Sequence, residues 1–483
     1  MNRSIFVFLI MSAFSLTANA FIRNVPSQYP TIQSAINASS NGDTVLVQPG
    51  TYLENVNFRG KKIVLTSRYY QSNEYSFIQT TIINGSSPAH PDSASCVIIN
   101  NHEDSTTVLQ GFTITGGGGT KWTDEHGAGL FREGGGVLVA YSNPVIQHNI
   151  ITGNHCDLGG VTSTGGGGLR IGDCFCRLYN NIISNNTARY GAGVVLNYAG
   201  GEYKNNVIFK NSGSVDYGAG TSIWLNSNYS RPRIIENNTI VSNTAINGTP
   251  GIFGFSGTSA IIRNNIIWNN TSPTNTQISG NGFTVRYCNV QNGYAGAGNI
   301  NLDPQFDSTN YYIKITSPCV DKGDSSLEYN DSADPNNPSN AKWPARGGLR
   351  NDMGAYGGQH SSVIANTIVG IGNGSVQGNI PDNFYLRQNF PNPFNPVTNI
   401  EFGISNLPAR NNSSWENYNS DGEFVSLKVF DVLGKEVVTL VNERLSPGIY
   451  KSGFNGSNLS SGIYFYKLEG ENFILTKQMI LLK

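Results

Sequence analysis

Between Gly116 and Arg170 the chain gathers an unusual density of groups that can do chemistry. Trp122, Asp124, Glu125, His126, Arg132 and Glu133 fall in one stretch, His155 and Asp157 in a second, and Arg170 just beyond. The carboxylates Asp124, Glu125 and Asp157 fit either of two roles. Two of them about 5–9.5 Å apart would cleave a glycosidic bond, or together they would offer hard oxygens to calcium. His126, His155 or Arg170 would serve as the base that removes a proton beside a sugar carboxylate, with calcium or another cation neutralising that carboxylate. Trp122, His155 and Trp224 form the substrate-binding set, because a flat indole suits a sugar ring. The same residues also read as a loop of solvated charges with a packed tryptophan.

Those groups need a scaffold, and the scaffold is written in asparagine. Asn149, Asn181, Asn206, Asn238 and Asn265 each precede two mostly aliphatic residues, as in Asn149-Ile150-Ile151 and Asn265-Ile266-Ile267. Five residues after each comes another: Asn154, Asn186, Asn211, Asn243 and Asn270. The copies stand 32, 25, 32 and 27 residues apart. Fixed hydrophobics on a loose length are the signature of a solenoid. Each coil reads as a Gly-rich start, a first strand, a turn and an Asn-bearing strand. Gly134-Gly135-Gly136, Gly166-Gly167-Gly168, Gly191-Ala192-Gly193 and Gly218-Ala219-Gly220 are such starts.

Alternation along the Asn-bearing strand predicts which way its side chains point. Three residues before each Asn, Ile146, Leu178, Tyr203, Ile235 and Ile262 are expected to face the core. Two before, Gln147, Tyr179, Lys204, Glu236 and Arg263 are expected to face solvent, the charged ones forming an ion-pair ladder. One before, His148, Asn180, Asn205, Asn237 and Asn264 are expected to turn inward. Coils about 4.8 Å apart let the Asn side chains hydrogen-bond to one another and to turn backbone, so they read as structural. Most coils are compact, but the turn after Thr115 is inflated and the corresponding turn one coil on is long. Both fall on one edge, where the chemistry-bearing residues would converge, with Arg170 outward on the neighbouring first strand and Trp224 projecting the same way.

The ends read differently. Arg3, an apolar run from Ile5 to Leu16 and Ala18-Asn19-Ala20 form an export signal over residues 1–20, too short to span a bilayer. No other stretch is long enough, so the mature chain has no transmembrane segment. Residues 21–60 form a cap: Thr31 starts a short helix with Ile32, Ala35 and Ile36 on one face, Thr44–Val47 is a strand, and Gln48-Pro49-Gly50-Thr51-Tyr52 a turn. With 56 glycines, 13% charged residues and a formal charge of −1, the composition suits short strands and tight turns. It points to neither nucleic acid nor an anionic membrane surface. The six cysteines lack zinc-type spacing, so buried free thiols or one disulfide are expected.

Two resemblances carry the reading further. The stretch "TIQSAIN…NGDTVLVQPGTY" closely resembles the opening of exported right-handed parallel β-helix proteins of the pectate-lyase-like group. Ser317-Pro318-Cys319-Val320-Asp321-Lys322-Gly323-Asp324 and Asp352-Met353-Gly354-Ala355-Tyr356 resemble the closing segment of bacterial surface β-helix proteins, whose acidic residues read as turn formers or a calcium site. "NFPNPFNPVTNIEF", "KVFDVLGKEV" and "LSSGIYFYKL" resemble the C-terminal sorting domain of the type IX secretion system. Ala409 to Gly422 reads as an insertion in it. The last resemblance implies transfer across the outer membrane, removal of the domain, and attachment to the cell surface or release.

The expected architecture is therefore all-β. A right-handed parallel β-helix with its cap occupies 21–303 and a closing segment 304–360. A linker covers 361–383 and a small sorting β-sandwich 384–483. Three functions follow as expectations. The chain binds an extended ligand, foremost a polysaccharide; or it is a polysaccharide lyase or, less readily, a glycoside hydrolase; or it is a structural or adhesive surface protein. Calcium is the one cofactor considered, with no metal ligands assigned, and the secretion machinery is the partner of residues 384–483.

Overall fold

The structure is a computed structural model that describes residues 20–124, 126–156, 159–213, 222–227, 230–307, 311–363, 384–389, 392–405, 423–445, 448–457, 459–470 and 473–483. The export signal, the start Gly218-Ala219-Gly220, most of the linker and the insertion at 409–422 lie outside these residues. The chain divides into two compact units, Met1–Asn366 and Thr367–Lys483. Among the described residues no helix is long and apolar enough to cross a membrane.

The first unit is a right-handed parallel β-helix built on three sheets of ten, nine and eight strands, called A, B and C. All pairings within the three are parallel and in register. In sheet A, Ile146 stands beside Leu178, Leu178 beside Tyr203, Tyr203 beside Ile235, and Ile235 beside Ile262. In sheet B, Ile114, Ile151, Ile183, Ile208, Ile240 and Ile267 form the matching column. Both columns are fully buried in one continuous core. Burying such side chains stabilises the fold by about 1.5–3 kcal/mol each.

Each coil therefore has three strands, not two. The stretch read as one Asn-bearing strand is a strand of sheet A, a corner, and a strand of sheet B: Val145–Gln147 and then Ile150–Thr152. The corner falls on the residue before each ladder asparagine. His148, Asn180, Asn205, Asn237 and Asn264 all adopt left-handed backbone, with φ between 50° and 57°. Asparagine tolerates this region better than other side-chain-bearing residues. These residues do not turn inward: the corner breaks the alternation and sends their side chains out.

The ladder asparagines lie just inside the corners. Asn149, Asn181, Asn206 and Asn238 each pass an Nδ2 hydrogen bond to the next Oδ1 at 3.0–3.1 Å. The second ladder, from Asn154 to Asn270, does the same at 2.8–3.0 Å. Each carboxamide also bonds backbone, as Asn206 Nδ2 does to the carbonyls of Leu178 and Lys204 at 2.9 and 3.0 Å. The corners thus bury their polar backbone without leaving it unpaired. Both ladders end on a different residue. Cys288 stands where the next asparagine would, receiving the Asn265 N–H at 3.5 Å, and Gln277 closes the second ladder on Asn270 at 2.9 Å. All six cysteines are buried free thiols.

At the N-terminal end the cap is as expected: helix Ile32–Ala38 carries a reciprocal Thr31–Ser34 cap and buries Ile32, Ala35 and Ile36. The second turn is shorter than expected, because Gly50–Leu53 pairs with Thr81–Asn84 as a strand of sheet B. At the other end residues 351–360 form a strap that runs back along the outside of the coils. Gly354 N–H bonds Asn264 O at 2.7 Å. Asn237 Nδ2 holds Asp352 O at 2.8 Å, Asn205 Nδ2 holds Ala355 O and Gly357 O at 2.9 and 2.7 Å, and Asn180 Nδ2 holds His360 O at 3.1 Å. The outward corner asparagines are the clasps. Beneath the closing segment, Lys204, Glu236 and Arg263 form the expected ladder, but Glu236 and Arg263 are buried, because Tyr329 lies over the Arg263 guanidinium at 4.0 Å.

Two interlocked carboxylates anchor the strap. Asp331 accepts the N–H groups of Asp352 and Gly358, and Asp352 accepts those of Asp321 and Arg346. Burial pushes Asp331 up to about 7. Burial and the neighbouring Asp331 charge push Asp352 up as well.

The second unit packs the sheet Tyr385–Leu386, Val397–Ile404 and Gly448–Asn455 against the sheet Glu423–Phe430, Glu436–Leu445, Gly462–Glu469 and Ile474–Leu481. The strands within each sheet pair antiparallel, and Phe402, Ile400, Val425, Leu427, Tyr466 and Leu468 fill the space between. It is a small β-sandwich.

Candidate functional site

The inflated turn is an antiparallel hairpin, Gly119–Thr123 with Leu130–Glu133. Its first strand also pairs with Ser93–Ala94 and its second with Ser163–Gly165, so it belongs to a separate small sheet. The long turn of the next coil therefore meets the hairpin through Ser163 opposite Phe131.

Register identifies what the hairpin covers. The outward column of sheet C reads Ile98, Leu138, Arg170, Val195, Trp224 and Phe253. Arg170 and Trp224 do point the same way, as expected. Arg170 is nevertheless fully buried, because the hairpin roofs it. Trp122 stacks on its guanidinium at 4.1 Å, Glu133 Oε2 accepts its Nε at 3.1 Å, and Val139 O accepts its Nη1 at 3.3 Å. The same Glu133 accepts Trp122 Nε1 at 3.1 Å and the Tyr190 hydroxyl. Burial first, and the Glu133 charge second, hold the Tyr190 hydroxyl protonated, far above its usual range.

The roof ends before Trp224, and a cleft of about 230 Å³ opens there. Its aromatic wall is Phe131, Tyr190, Trp224 and Phe255. Tyr190 and Trp224 lie 4.7 Å apart, and Trp224 stacks on Phe255 at 5.6 Å and 29°. Phe255 is half exposed, whereas Trp224 is buried with its Nε1 lacking a hydrogen-bond partner. A buried donor without an acceptor is costly and calls for a partner. Beside the aromatic wall, on the same outer face of sheet C, stands a polar patch. Asn226 Nδ2 donates to Asn197 Oδ1 at 2.9 Å, and Asn197 Nδ2 donates to Asp124 Oδ2 at 3.3 Å. Ser163, Arg189 and Glu133 complete the lining.

The sequence-based candidates thus divide. Asp124 and Trp224 line the cleft. Half-buried Trp122 covers the fully buried Arg170 beneath the roof. His126 sits at the hairpin tip, where Nε2 meets Asp173 Oδ1 at 2.9 Å and the ring stacks on Tyr198 at 3.5 Å. Asp124 Oδ1 fixes that tip by accepting the N–H groups of His126 and Ala128 at 2.9 and 3.2 Å. His155 is exposed on the next coil, its backbone bridging to Thr187, and does not join the cleft lining. Glu125 and Asp157 lie outside the described residues. Tyr190, Asn197, Asn226 and Phe255 were not among the candidates. Asn197 and Asn226 could have been found by aligning Val194-Val195-Leu196-Asn197 with Ile223-Trp224-Leu225-Asn226 as stacked first strands. Among the described residues no three His, Cys, Asp or Glu side chains gather to hold a metal ion.

No curated protein matches the chain. One family model does, and it falls on the second unit, with its two antiparallel sheets and the motifs quoted above. Residues 388–482 match the secretion system C-terminal sorting domain, so this β-helix carries the tail that directs type IX export to the cell surface or the medium.

Proposed function

We propose that the exported β-helix binds a glycan in the cleft between the hairpin roof and the end of sheet C. The observation that carries this reading is the aromatic wall of the cleft: half-exposed Phe255 stacked on the buried Trp224, which Tyr190 flanks at 45°. A sugar ring has an apolar face that packs on such a wall and a rim of hydroxyls that takes up and offers hydrogen bonds. Asn197 and Asn226, on the same face of sheet C as Trp224, and Asp124 bonded to Asn197 stand beside the aromatic wall as the partners of that rim. Catalysis is not part of the proposal, because Arg170 and Glu133 hold one another beneath the roof. A rigid solenoid with a cleft on one outer face suits a long polymer at a cell surface.

The test is a glycan array probed with the purified mature chain and with Phe255→Ala. Phe255 is half exposed, so its truncation is expected to leave thermal unfolding unchanged while weakening binding about tenfold, the loss of one stacked ring. Wild-type protein that is folded and binds no glycan on the array would sink the proposal.

A further inference from the structure

We infer that the solenoid carries a second glycan cleft, on the face of sheet B, and that one molecule therefore bridges two polymer chains, an inference that rests on the glycan-binding reading above. Register places the two clefts at one level. Ile223–Asn226, Arg233–Glu236 and Thr239–Val241 form one coil, and Ile252–Gly254, Ala260–Arg263 and Ile266–Trp268 form the next. On sheet C these coils present Trp224 and Phe253 outward. On sheet B they present Val241 and Trp268, at the end of an outward column that runs back through Phe209 and Ser184 to Thr152.

The closing segment folds back over that column. Phe306 bridges to Ile313, and Tyr311 lies 5.3 Å from Phe209 and meets Phe306 edge-on at 5.4 Å. Between this segment and sheet B lies a cleft of about 470 Å³. Its rings are the half-buried Trp268, Phe306 and Tyr311. Its rim is polar, with Asn269, Asp303, Lys314 and Thr316 exposed. Asn269 Nδ2 donates to Ser242 Oγ at 3.4 Å, and Thr316 Oγ1 donates to Gln305 Oε1 at 2.8 Å.

Different elements thus rebuild the composition of the first cleft: a tryptophan from an outward sheet column, further rings around it, and carboxamides and hydroxyls beside them. A sugar uses both halves of such a lining, its apolar face on the rings and its hydroxyls on the rim. A wholly apolar ligand would desolvate the rim without replacing its hydrogen bonds. Sheets B and C are separate faces of one rigid core, so a stiff polymer lying along one does not enter the other. Two such sites on one molecule tie two chains together.

The experiment uses the full mature chain with cellohexaose, xylohexaose, mannohexaose and a galacturonate hexamer, joined by the strongest ligand of the array. Calorimetry should give two sugars per chain for a sugar that binds. Hydrogen exchange in its presence should slow over 224–226 and 253–255 and, separately, over 268–269 and 303–306. With the matching soluble polymer, viscosity should rise about twofold or more at intermediate protein and fall again when protein is in excess. One sugar per chain, with slowing confined to 224–255, overturns the inference and leaves the glycan reading standing. Slowing confined to 268–306 overturns both the bridging and the first cleft. Two sugars per chain with no rise in viscosity overturns the bridging. No binding by any of these sugars, together with a silent array, overturns the glycan reading and this inference with it.

Two variants supply the second arm. Phe255→Ala should weaken the first site about tenfold, leave the second at wild-type affinity and lower the viscosity rise while binding persists. Trp268→Ala should do the reverse. Trp268 packs against the buried cluster of Ile266, Ile313, Cys319 and Met353, so its thermal unfolding is read first. Where that variant unfolds, Asn269→Gly takes its place: it keeps the left-handed corner at φ 54°, removes an exposed rim carboxamide and should weaken the second site about threefold. Phe255→Ala weakening all binding in parallel would mean a single site and would overturn the inference.

Discussion

Two covers lie on the outside of this solenoid, and they are built on opposite plans. The strap at 351–360 is held by the same group repeated coil after coil: Asn180, Asn205, Asn237 and Asn264, each at a left-handed corner, each bonding strap or closing-segment backbone. The hairpin at 119–133 is held by contacts that occur once: Arg170 with Glu133, Trp122 on Arg170, His126 with Asp173 and Tyr198, Asp124 with Asn197. The strap meets a periodic surface with a periodic clasp and covers it closely. The hairpin meets sheet C with singular side chains and stops short, and the cleft lies where it stops. Repetition makes the fold, and the break in repetition makes the room for a ligand.

That contrast can be broken in four places. The largest effect is expected inside the periodic part. Asn206→Ala removes the partner of the Asn181 backbone N–H and of the Leu178 carbonyl, both buried, and of the part-buried Lys204 carbonyl. With about 1–3 kcal/mol for each stranded group, the unit should lose about 4–6 kcal/mol, read by denaturant unfolding. Unaltered unfolding would count against the ladder as a source of stability. Next comes the singular roof. Glu133→Ala takes the carboxylate from the buried Arg170 guanidinium and strands the donors of Trp122 and Tyr190, a loss of about 3–5 kcal/mol. Hydrogen exchange should rise over 119–133 but not over 351–360, and glycan binding should fall. Exchange rising equally in both segments would mean that the two covers are one cooperative piece.

Asn237→Ala is the mirror experiment. It takes the donor from Asp352 O and Gly354 O and should cost about 1–3 kcal/mol, with faster exchange in the strap and the cleft affinity intact. The smallest effect is a pH dependence confined to the strap. Asp331 is raised in the folded state, so the unfolded chain gives up its proton first as pH climbs. Its contribution is whole below the ordinary Asp range and is lost as pH rises toward about 7. Thermal midpoints should decline over that window, and Asp331→Asn should flatten the decline. A variant that tracks the wild type at every pH would assign the dependence to other groups.

The legible and the illegible parts of the fold separate along the same line. The core columns and both ladders were readable because Ile, Leu and Asn recur at fixed offsets from one another. The corner was not. A single left-handed residue between two three-residue strands leaves the in–out alternation looking unbroken, so Asn205 and Asn237 were expected inward although they clasp the strap. Their partners lie 152 and 115 residues away, beyond any local pattern. At the candidate site the inflated turn and the outward direction of Arg170 and Trp224 were legible from length and register. That the hairpin folds back over Arg170 was not, since nothing in Trp122 or Glu133 announces which way a turn will lean.

The cysteines at the ladder end and in the core have one more consequence. An exported chain meets oxidants and foreign disulfides, and thiolates are what those reagents attack. Burial lifts Cys96, Cys174 and Cys288 from 9.0 to about 12, which leaves about a thousandth of the usual thiolate. Each also lies behind a wall of stacked coils that excludes the reagent. Oxidative damage is thereby confined to the interval before the coils stack, so these three thiols, none of them in a disulfide, stay chemically silent in the folded molecule outside the cell.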